Sequence, residues 1–170
     1  DEVELFVNGK SIGVRQNSTE VRKRNTIYWK DIPYVAGKIT AIARKGGKEV
    51  SRDELETTGK AVALVMETEN ANWKADGMDL QYVKVYAVDS KGRKVPTATG
   101  EVTFDVNGVA SIIAVDNGNH LSDDLFDGNK KQLYNGFAMA ILRSTQIAGT
   151  VKLKATVAGL KGIEQTLKVQ

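Results

Sequence analysis

The stretch that decides the fold is EVTFDVNG, residues 101–108. Its apolar side chains, Val102, Phe104 and Val106, alternate with polar ones, which is the period of two expected of a half-buried β-strand. The stretch ends in Asn107-Gly108, a dipeptide that tolerates the positive φ angles of tight hairpin turns. This segment therefore predicts a β-strand followed by a turn.

The same pattern recurs from one end of the chain to the other. Residues 2–8 and 150–157 also alternate, and turn dipeptides such as Gly46-Gly47, Lys91-Gly92 and Asn117-Gly118 lie between such segments. Short strands separated by turns every ~8–12 residues are typical of β-sandwiches. No segment has a sustained helical apolar period, so we expect an all-β protein.

The predicted strands fall into two groups, with a boundary near Thr57-Thr58-Gly59-Lys60. They cover residues 2–8, 26–31, 38–44 and 48–57 before the boundary, and 61–68, 81–89, 101–106, 110–115, 137–144, 150–157 and 163–169 after it, with an extra segment near Trp73. We therefore predict two tandem immunoglobulin-like β-sandwich modules, residues 1–58 and 59–170. Four strands make a small core and the pattern begins inside a strand, so we expect the chain to be a piece of a longer protein, cut inside or just before its first module. A native N-terminus is the alternative.

Composition excludes several classes of function. The chain has 170 residues, no cysteine and one histidine, which excludes a disulfide scaffold, a thiolate nucleophile and a multi-histidine metal site. Its net charge of +3 is spread evenly: residues 1–59 carry 11 basic and 9 acidic side chains, and residues 60–170 carry 13 and 12. Such a distribution is not typical of nucleic-acid binding, and no apolar run is long enough to cross a bilayer. We expect no nucleic-acid partner, no membrane partner and no cofactor.

One polar loop holds the candidate groups for a nucleophile–base pair of the serine–histidine kind and for metal binding. His120 lies near Asp116, Asp123, Asp124 and Asp127, but no Gly-x-Ser-x-Gly elbow accompanies it, which favours a surface histidine. The loop is rich in the oxygen ligands that Ca²⁺ prefers, so the four aspartates are calcium candidates. EF-hand spacing fails because the twelfth position from Asp116 is an aspartate. Ordinary turn chemistry is the alternative, and we assign no metal site.

Three aromatic residues are candidates for carbohydrate binding. Tyr82 and Tyr86 share one face of a predicted strand, and Trp73 lies in a polar stretch, so together they are the one plausible platform for stacking a sugar. The alternative is a structural role, with Trp73 at a core edge or domain interface and the tyrosines facing a neighbouring domain. Trp29 shares a strand face with Ile27, and we assign it to the core.

Two groups of motifs resemble a known enzyme family, glycoside hydrolase family 2. VELFVNGKSIG at residues 3–13, WKDIPY at 29–34 and GKITA at 37–41 resemble a small β-module that follows the catalytic barrel in bacterial β-galactosidases of that family. The next C-terminal, immunoglobulin-like domain of those enzymes is similar to KADGMDL at 74–80, VPTA at 95–98, VDNG at 115–118, NG at 135–136 and ILRS at 141–144. The resemblance covers nearly the whole chain in the order of the family.

The resemblance implies a non-catalytic C-terminal accessory region of a retaining β-galactosidase-like enzyme. In that family the chemistry resides in a (β/α)₈ barrel, where a glutamate following an asparagine is the general acid/base and a second glutamate is the nucleophile. This sequence has no Asn-Glu dipeptide, so neither residue is carried over and we expect the chain alone to hydrolyse nothing. The implied partner is the catalytic domain of the same parent chain. A periplasmic or extracellular location in a bacterium is implied by the resemblance only.

Two other functions stay open on the sequence. A carbohydrate-binding module would bind galactoside-containing carbohydrate through exposed coplanar aromatics. An adhesin-type immunoglobulin-like spacer would need tandem copies of the pattern in residues 60–170, of which the chain contains one. We expect Asp76, Asp116 and Asn117 to hold their own turns through side chain to backbone hydrogen bonds rather than to bind a ligand.

Overall fold

The computed structural model describes residues 1–20, 22–23 and 26–170, and these residues contain strands but no helix. The strands are β1 (Glu2–Val7), β2 (Lys10–Gln16), β3 (Lys38–Lys45), β4 (Lys48–Glu56), β5 (Ala63–Thr68), β6 (Leu80–Val88), β7 (Glu101–Gly108), β8 (Ala110–Asp116), β9 (Lys130–Gln132), β10 (Phe137–Ser144), β11 (Gly149–Thr156) and β12 (Ile163–Val169). They form three four-stranded antiparallel sheets. The prediction of an all-β protein is confirmed. Within the described ranges, no helix has the length and apolarity that a bilayer crossing requires.

The chain divides into two compact units, residues 1–57 and residues 58–170. The boundary drawn from the sequence lies one residue later. Each unit has its own hydrogen-bonded sheets, one in the first and two in the second.

The first unit is a single sheet with the strand order β2-β1-β3-β4. Asn8 and Gly9 join β1 to β2 with φ angles of 51° and 79°, the left-handed conformation that a two-residue hairpin turn requires. Strand β2 was not among the predicted strands. It carries two apolar side chains, Ile12 and Val14, which are too few for a sustained period of two, and its pairing with β1 contains a bulge between Leu5 and Phe6.

Residues 26–31, predicted as a strand, do not form one. An extended segment becomes a strand only when a neighbouring backbone pairs with it, and the described part of the chain supplies no such ladder. Asp31 also departs from extended geometry, with a φ angle of 57°. Trp29, predicted to lie in the core, is half-buried, and the Arg15 guanidinium lies 5.6 Å from the centroid of its ring.

The second unit is a β-sandwich built from two sheets, β5-β6-β10-β8 and β12-β11-β7-β9. Alternate side chains from both sheets enter one apolar core. The inward positions of its four central strands are fully buried, at Val83, Val85 and Ala87, Ala138, Ala140 and Leu142, Val102 and Phe104, and Val151, Leu153 and Ala155. The pattern at residues 101–108 thus predicts this inward face correctly. The immunoglobulin-like topology stays a prediction.

Gly136 shows why the hairpin before β10 needs a glycine. Its φ angle is 70°, and a Cβ atom there would lie 2.1 Å from the Val95 carbonyl oxygen. Its own carbonyl accepts a hydrogen bond from the Ala87 N–H at 2.9 Å. The Asn135-Gly136 pair therefore allows close contact with two neighbouring backbone segments.

We expect residues 1–57 to unfold before residues 58–170. Ile42 is the one buried apolar side chain in the described part of the first unit, whereas the second unit buries twenty. Apolar burial is the main favourable term in folding. The first unit therefore gains much less free energy from burial to offset the conformational entropy that it loses on folding. Hydrogen exchange followed by mass spectrometry in rising denaturant would report loss of protection in β3 first. Equal protection of β3 and β10 at every denaturant concentration would contradict this expectation.

Candidate functional site

Trp73 is buried at the edge of the core, with 1% of its surface exposed. Its indole N–H donates to the Asp79 carbonyl oxygen at 3.0 Å. The backbone on either side pairs with the end of the chain: the Gln170 N–H donates to the Trp73 carbonyl at 2.9 Å, and the Ala75 N–H donates to the Gln170 carbonyl at 2.8 Å. The ring therefore offers no face on which a sugar could stack. This position agrees with the structural alternative of a core edge, although the sequence neighbours Asn72 and Lys74 are exposed.

The loop that carries Trp73 is held by the buried side-chain amide of Gln81 and by the exposed carboxylate of Asp76. Gln81 is 1% exposed; its side-chain oxygen accepts from the N–H groups of Glu69 and Asn70, and its nitrogen donates to the Asn70 carbonyl at 2.7 Å. Asp76 accepts from the N–H groups of Met78 and Asp79 at 2.8 and 2.7 Å. These backbone hydrogen bonds hold the pKa of Asp76 below its usual value. The turn-holding role predicted for Asp76 is confirmed.

Tyr82 and Tyr86 lie on the outward face of β6, where neighbouring side chains cover Tyr86. The Lys94 amine lies 3.4 Å from the centroid of the Tyr86 ring, and the Phe137 ring lies 5.2 Å away, centroid to centroid. Lys94 also pairs with Glu67 at 2.8 Å, and this carboxylate raises the pKa of the amine. Tyr82 is 37% exposed and pairs across the sheet with Ile141. The structure thus places two of the three aromatic candidates on one face and Trp73 in the interior.

Substitution of Trp73 should destabilise the second unit and leave sugar affinity unchanged. We expect Trp73→Ala to cost about 3–5 kcal/mol, because it empties a ring-sized volume in the core. Trp73→Phe keeps an aromatic ring but loses the bond to Asp79, which should cost about 1–2 kcal/mol. Urea unfolding followed by circular dichroism measures both, with Tyr82→Ala as the partly exposed control. Wild-type stability of Trp73→Ala combined with lost galactoside binding would contradict a structural role.

Asp116 and Asn117 begin the polar loop that follows β8, and both hold its first turn. The Asp116 carboxylate accepts from the Asn117 N–H at 2.6 Å and the Gly118 N–H at 3.1 Å. Asn117 is 4% exposed; its side chain accepts from the Asn119 N–H at 3.0 Å and donates to the Gln132 carbonyl at 2.9 Å. The structural role predicted for these two residues is confirmed.

The calcium candidates do not come together as a metal site. Across residues 1–20, 22–23 and 26–170, no group of three or more histidine, cysteine or acidic side chains is placed to hold an ion. Asp123, Asp124 and Asp127 are exposed, as is His120, and the Asp116 carboxylate is engaged in its own turn.

A side-chain cation holds the middle of this loop instead. Lys131 is 5% exposed, and its amine donates to the carbonyl oxygens of Asp124 and Leu125 at 3.3 and 3.1 Å. The same amine lies 5.0 Å from the centroid of the Phe126 ring. The sequence analysis missed this residue, because its burial depends on where the preceding loop folds back.

Asp89 is a second buried charge that the sequence analysis missed. It is 3% exposed and accepts from the Arg93 guanidinium at 2.7 and 2.9 Å, from the Gly59 N–H at 2.8 Å and from the backbone N–H groups of Lys91 and Arg93. The Arg93 guanidinium, aided by the Gly59 N–H, holds the pKa of Asp89 well below its usual range. An aspartate before the Lys91-Gly92 turn is a sequence signal for a turn, but the bond to Gly59 spans thirty residues.

Loss of the Asp89 charge should make the second unit less stable and less sensitive to acid. Because folding lowers the pKa of Asp89, its stabilising contribution is fully present above the usual aspartate pKa of about 4 and disappears as the pH falls through the lower folded-state value. We therefore expect Asp89→Asn to lower the melting temperature at pH 7 and to flatten its decline between about pH 4 and pH 2. Calorimetry over this range is the measurement, with exposed Asp123→Asn as the control. Identical acid profiles for the two variants would contradict the assignment.

The family of the chain is decided by residues 64–166, which match the model described as glycoside hydrolase family 2 C-terminal domain 5. The chain belongs to this family. Residues 1–51 match a second model, described as a domain of unknown function, DUF4982. The resemblance to glycoside hydrolase family 2 drawn from the sequence motifs is confirmed.

Relatives of this family 2 chain are much longer proteins. A β-galactosidase of Bacteroides ovatus, BoGH2A, is 36% identical over 161 residues, which are 95% of this chain and 18% of that protein. A β-glucuronidase of Formosa agariphila is 31% identical over 98% of this chain and 17% of its own length. A crystal structure of a glycosyl hydrolase family 2 member from Bacteroides cellulosilyticus superposes with a TM-score of 0.93 at 32% identity, over 99% of this chain and 21% of that one. The chain spans less than a fifth of the two curated relatives.

Proposed function

We propose that this chain is the non-catalytic C-terminal accessory region of a family 2 glycoside hydrolase, and that it supports the catalytic barrel of that enzyme in carbohydrate degradation. The observation that carries the proposal is the match of residues 64–166 to a C-terminal domain of this family. The partner is the catalytic domain of the same parent chain. The parent is a retaining, β-galactosidase-like enzyme located in the periplasm or outside the cell of a bacterium.

The electrostatics of the acidic residues support a non-catalytic role. A glycosidase general acid needs a raised pKa so that it stays protonated near neutral pH. Six carboxyl groups have a pKa below the usual value, and each accepts hydrogen bonds from the backbone or from a basic side chain: Glu4, Glu49, Glu54, Asp76, Asp79 and Asp89. Such groups hold turns and strand pairs and are poor proton donors.

The choice of a galactoside as parent substrate rests on the relatives. BoGH2A is named as a β-galactosidase, and it has the higher identity to this chain of the two relatives described above. The Formosa agariphila relative is named as a β-glucuronidase, so a β-glucuronide is the substrate that the experiment must distinguish.

Hydrolysis by the chain and by the longer polypeptide of its gene tests the proposal. We expect no release of nitrophenol by residues 1–170 from either the β-galactoside or the β-glucuronide. We expect the longer polypeptide to cleave the β-galactoside with retained anomeric configuration, read by proton NMR. Calorimetric titration of the chain with millimolar galactose should give a flat trace.

Three results would contradict the proposal. Turnover by the chain alone would make it an enzyme, and a saturable calorimetric signal with galactose would make it a carbohydrate-binding module. A reading frame without a barrel-sized sequence before Asp1 would remove the catalytic partner.

A further inference from the structure

One face of the first unit carries an apolar groove of about 360 Å³. Its floor is a cross-strand row, Val7 on β1, Ile39 on β3 and Leu55 on β4, which are direct neighbours in the sheet register. Its wall is the segment Ile32, Pro33, Tyr34 and Val35. We call these seven residues the apolar groove.

The apolar groove is open to solvent to an unusual degree for such side chains. Ile39 is 41% exposed, Leu55 72%, Tyr34 80% and Val35 52%. Contiguous apolar side chains left in water mark interaction surfaces, because their exposure costs free energy that a partner recovers.

Hydrogen bonds hold the wall of the apolar groove in place. The Thr57 hydroxyl lies 3.2 Å from the Tyr34 hydroxyl and accepts from the Gly37 N–H at 3.0 Å. The Thr57 N–H donates to the Gly37 carbonyl at 2.8 Å, and the Asn8 side chain donates to the Ala36 carbonyl at 3.1 Å. The groove is therefore formed before anything binds to it, and a partner does not pay to order its wall.

We propose that the apolar groove receives apolar side chains from the part of the parent glycoside hydrolase that precedes residue 1. This inference rests on the proposed function and adds to it the surface through which the accessory region contacts the enzyme. A sheet must bury its apolar face against a second layer, and the described part of the first unit buries one apolar side chain, Ile42.

The length of the relatives identifies the occupant. More than four fifths of BoGH2A lies outside the portion that this chain matches. In the family 2 structure from Bacteroides cellulosilyticus, the fold of this chain is 21% of a longer polypeptide. Because the matched family is a C-terminal domain, the remaining sequence of such a protein lies mainly before it.

The chemistry of the apolar groove favours a protein segment over a sugar. Its lining is aliphatic apart from Tyr34, Glu56 and Thr57, and the Thr57 hydroxyl is already engaged by Tyr34 and Gly37. A sugar needs several free hydrogen-bonding groups around an aromatic face, whereas aliphatic side chains need only a groove of complementary shape from which water is excluded.

A photo-crosslinker at position 55 of the longer polypeptide tests the occupant directly. We expect p-benzoylphenylalanine in place of Leu55 to crosslink within the same molecule, to residues before Asp1. The matched control is the same group in place of Val50, which is 61% exposed on the same strand but does not line the groove. Crosslinks from position 55 only to a second copy, or none above the position 50 control, would overturn the proposal.

Charge substitution gives a second readout. In residues 1–170 alone, Leu55→Lys and Val50→Lys should have the same small effect on the free energy of unfolding of the first unit, because both side chains face water. In the longer polypeptide, Leu55→Lys should increase hydrogen exchange in β3 and β4 by about tenfold or more, because it buries an unpaired charge. Val50→Lys should not increase it. Equal exchange in the two variants would overturn the proposal.

The two proposals fail in different ways. A longer polypeptide that hydrolyses the β-galactoside but gives neither crosslinks nor a Leu55→Lys effect contradicts the groove assignment and leaves the accessory function intact. A longer polypeptide that crosslinks from position 55 but hydrolyses neither substrate contradicts the function and keeps the contact. A gene with no sequence before Asp1 contradicts both.

Discussion

The structure depends on one constraint: a β-sheet with an apolar face needs a second layer to cover it. Residues 58–170 satisfy it internally, because Phe104 and Leu153 from one sheet and Val83 and Leu142 from the other are all fully buried in one core. Residues 1–57 form one sheet, with Ile42 as the buried apolar side chain of their described part. The first unit thus leaves apolar side chains uncovered, as the open groove beside Leu55 illustrates.

Several of the side chains that suggest chemistry in this sequence instead form hydrogen bonds with the backbone. Trp73 donates to a carbonyl while filling the core, and Asp76 and Asp116 accept from the N–H groups of their own turns. Lys131 donates to two carbonyls in the loop that also holds the calcium candidates. Loops of a β-sandwich must satisfy their own polar groups, and short acidic or amide side chains do so at low entropic cost. These hydrogen bonds hold the loops of the second unit in place.

The sequence predicted what depends on near neighbours and missed what depends on distant ones. The alternation of Val102 and Phe104 predicts β7, because successive side chains of a strand point to opposite faces of the sheet. Residues 26–31 also carry strand-favouring side chains such as Ile27 and Trp29, yet the described part of the chain supplies no backbone to pair with them, which no local pattern reveals. The burial of Trp73 and Lys131 depends on chain segments that fold back over them, and their polar neighbours in the sequence indicate exposure. The family motifs identified the family, which periodicity could not do, since they include turns such as Asn135-Gly136 whose conformation is set by neighbouring backbone segments.

The bond between Asp89 and Gly59 has a consequence for anyone who wishes to excise the second unit. Gly59 precedes the first strand of that unit by several residues, and a cut chosen from strand bounds alone would discard it. Its N–H nevertheless donates a hydrogen bond to the carboxylate of Asp89, which is 3% exposed. A fragment that begins at Lys60 would leave that carboxylate short of a donor, whereas one that begins at Thr58 keeps the full set. The boundary of a domain should therefore be drawn to include every donor to its buried charges, even where such a donor lies outside the first strand.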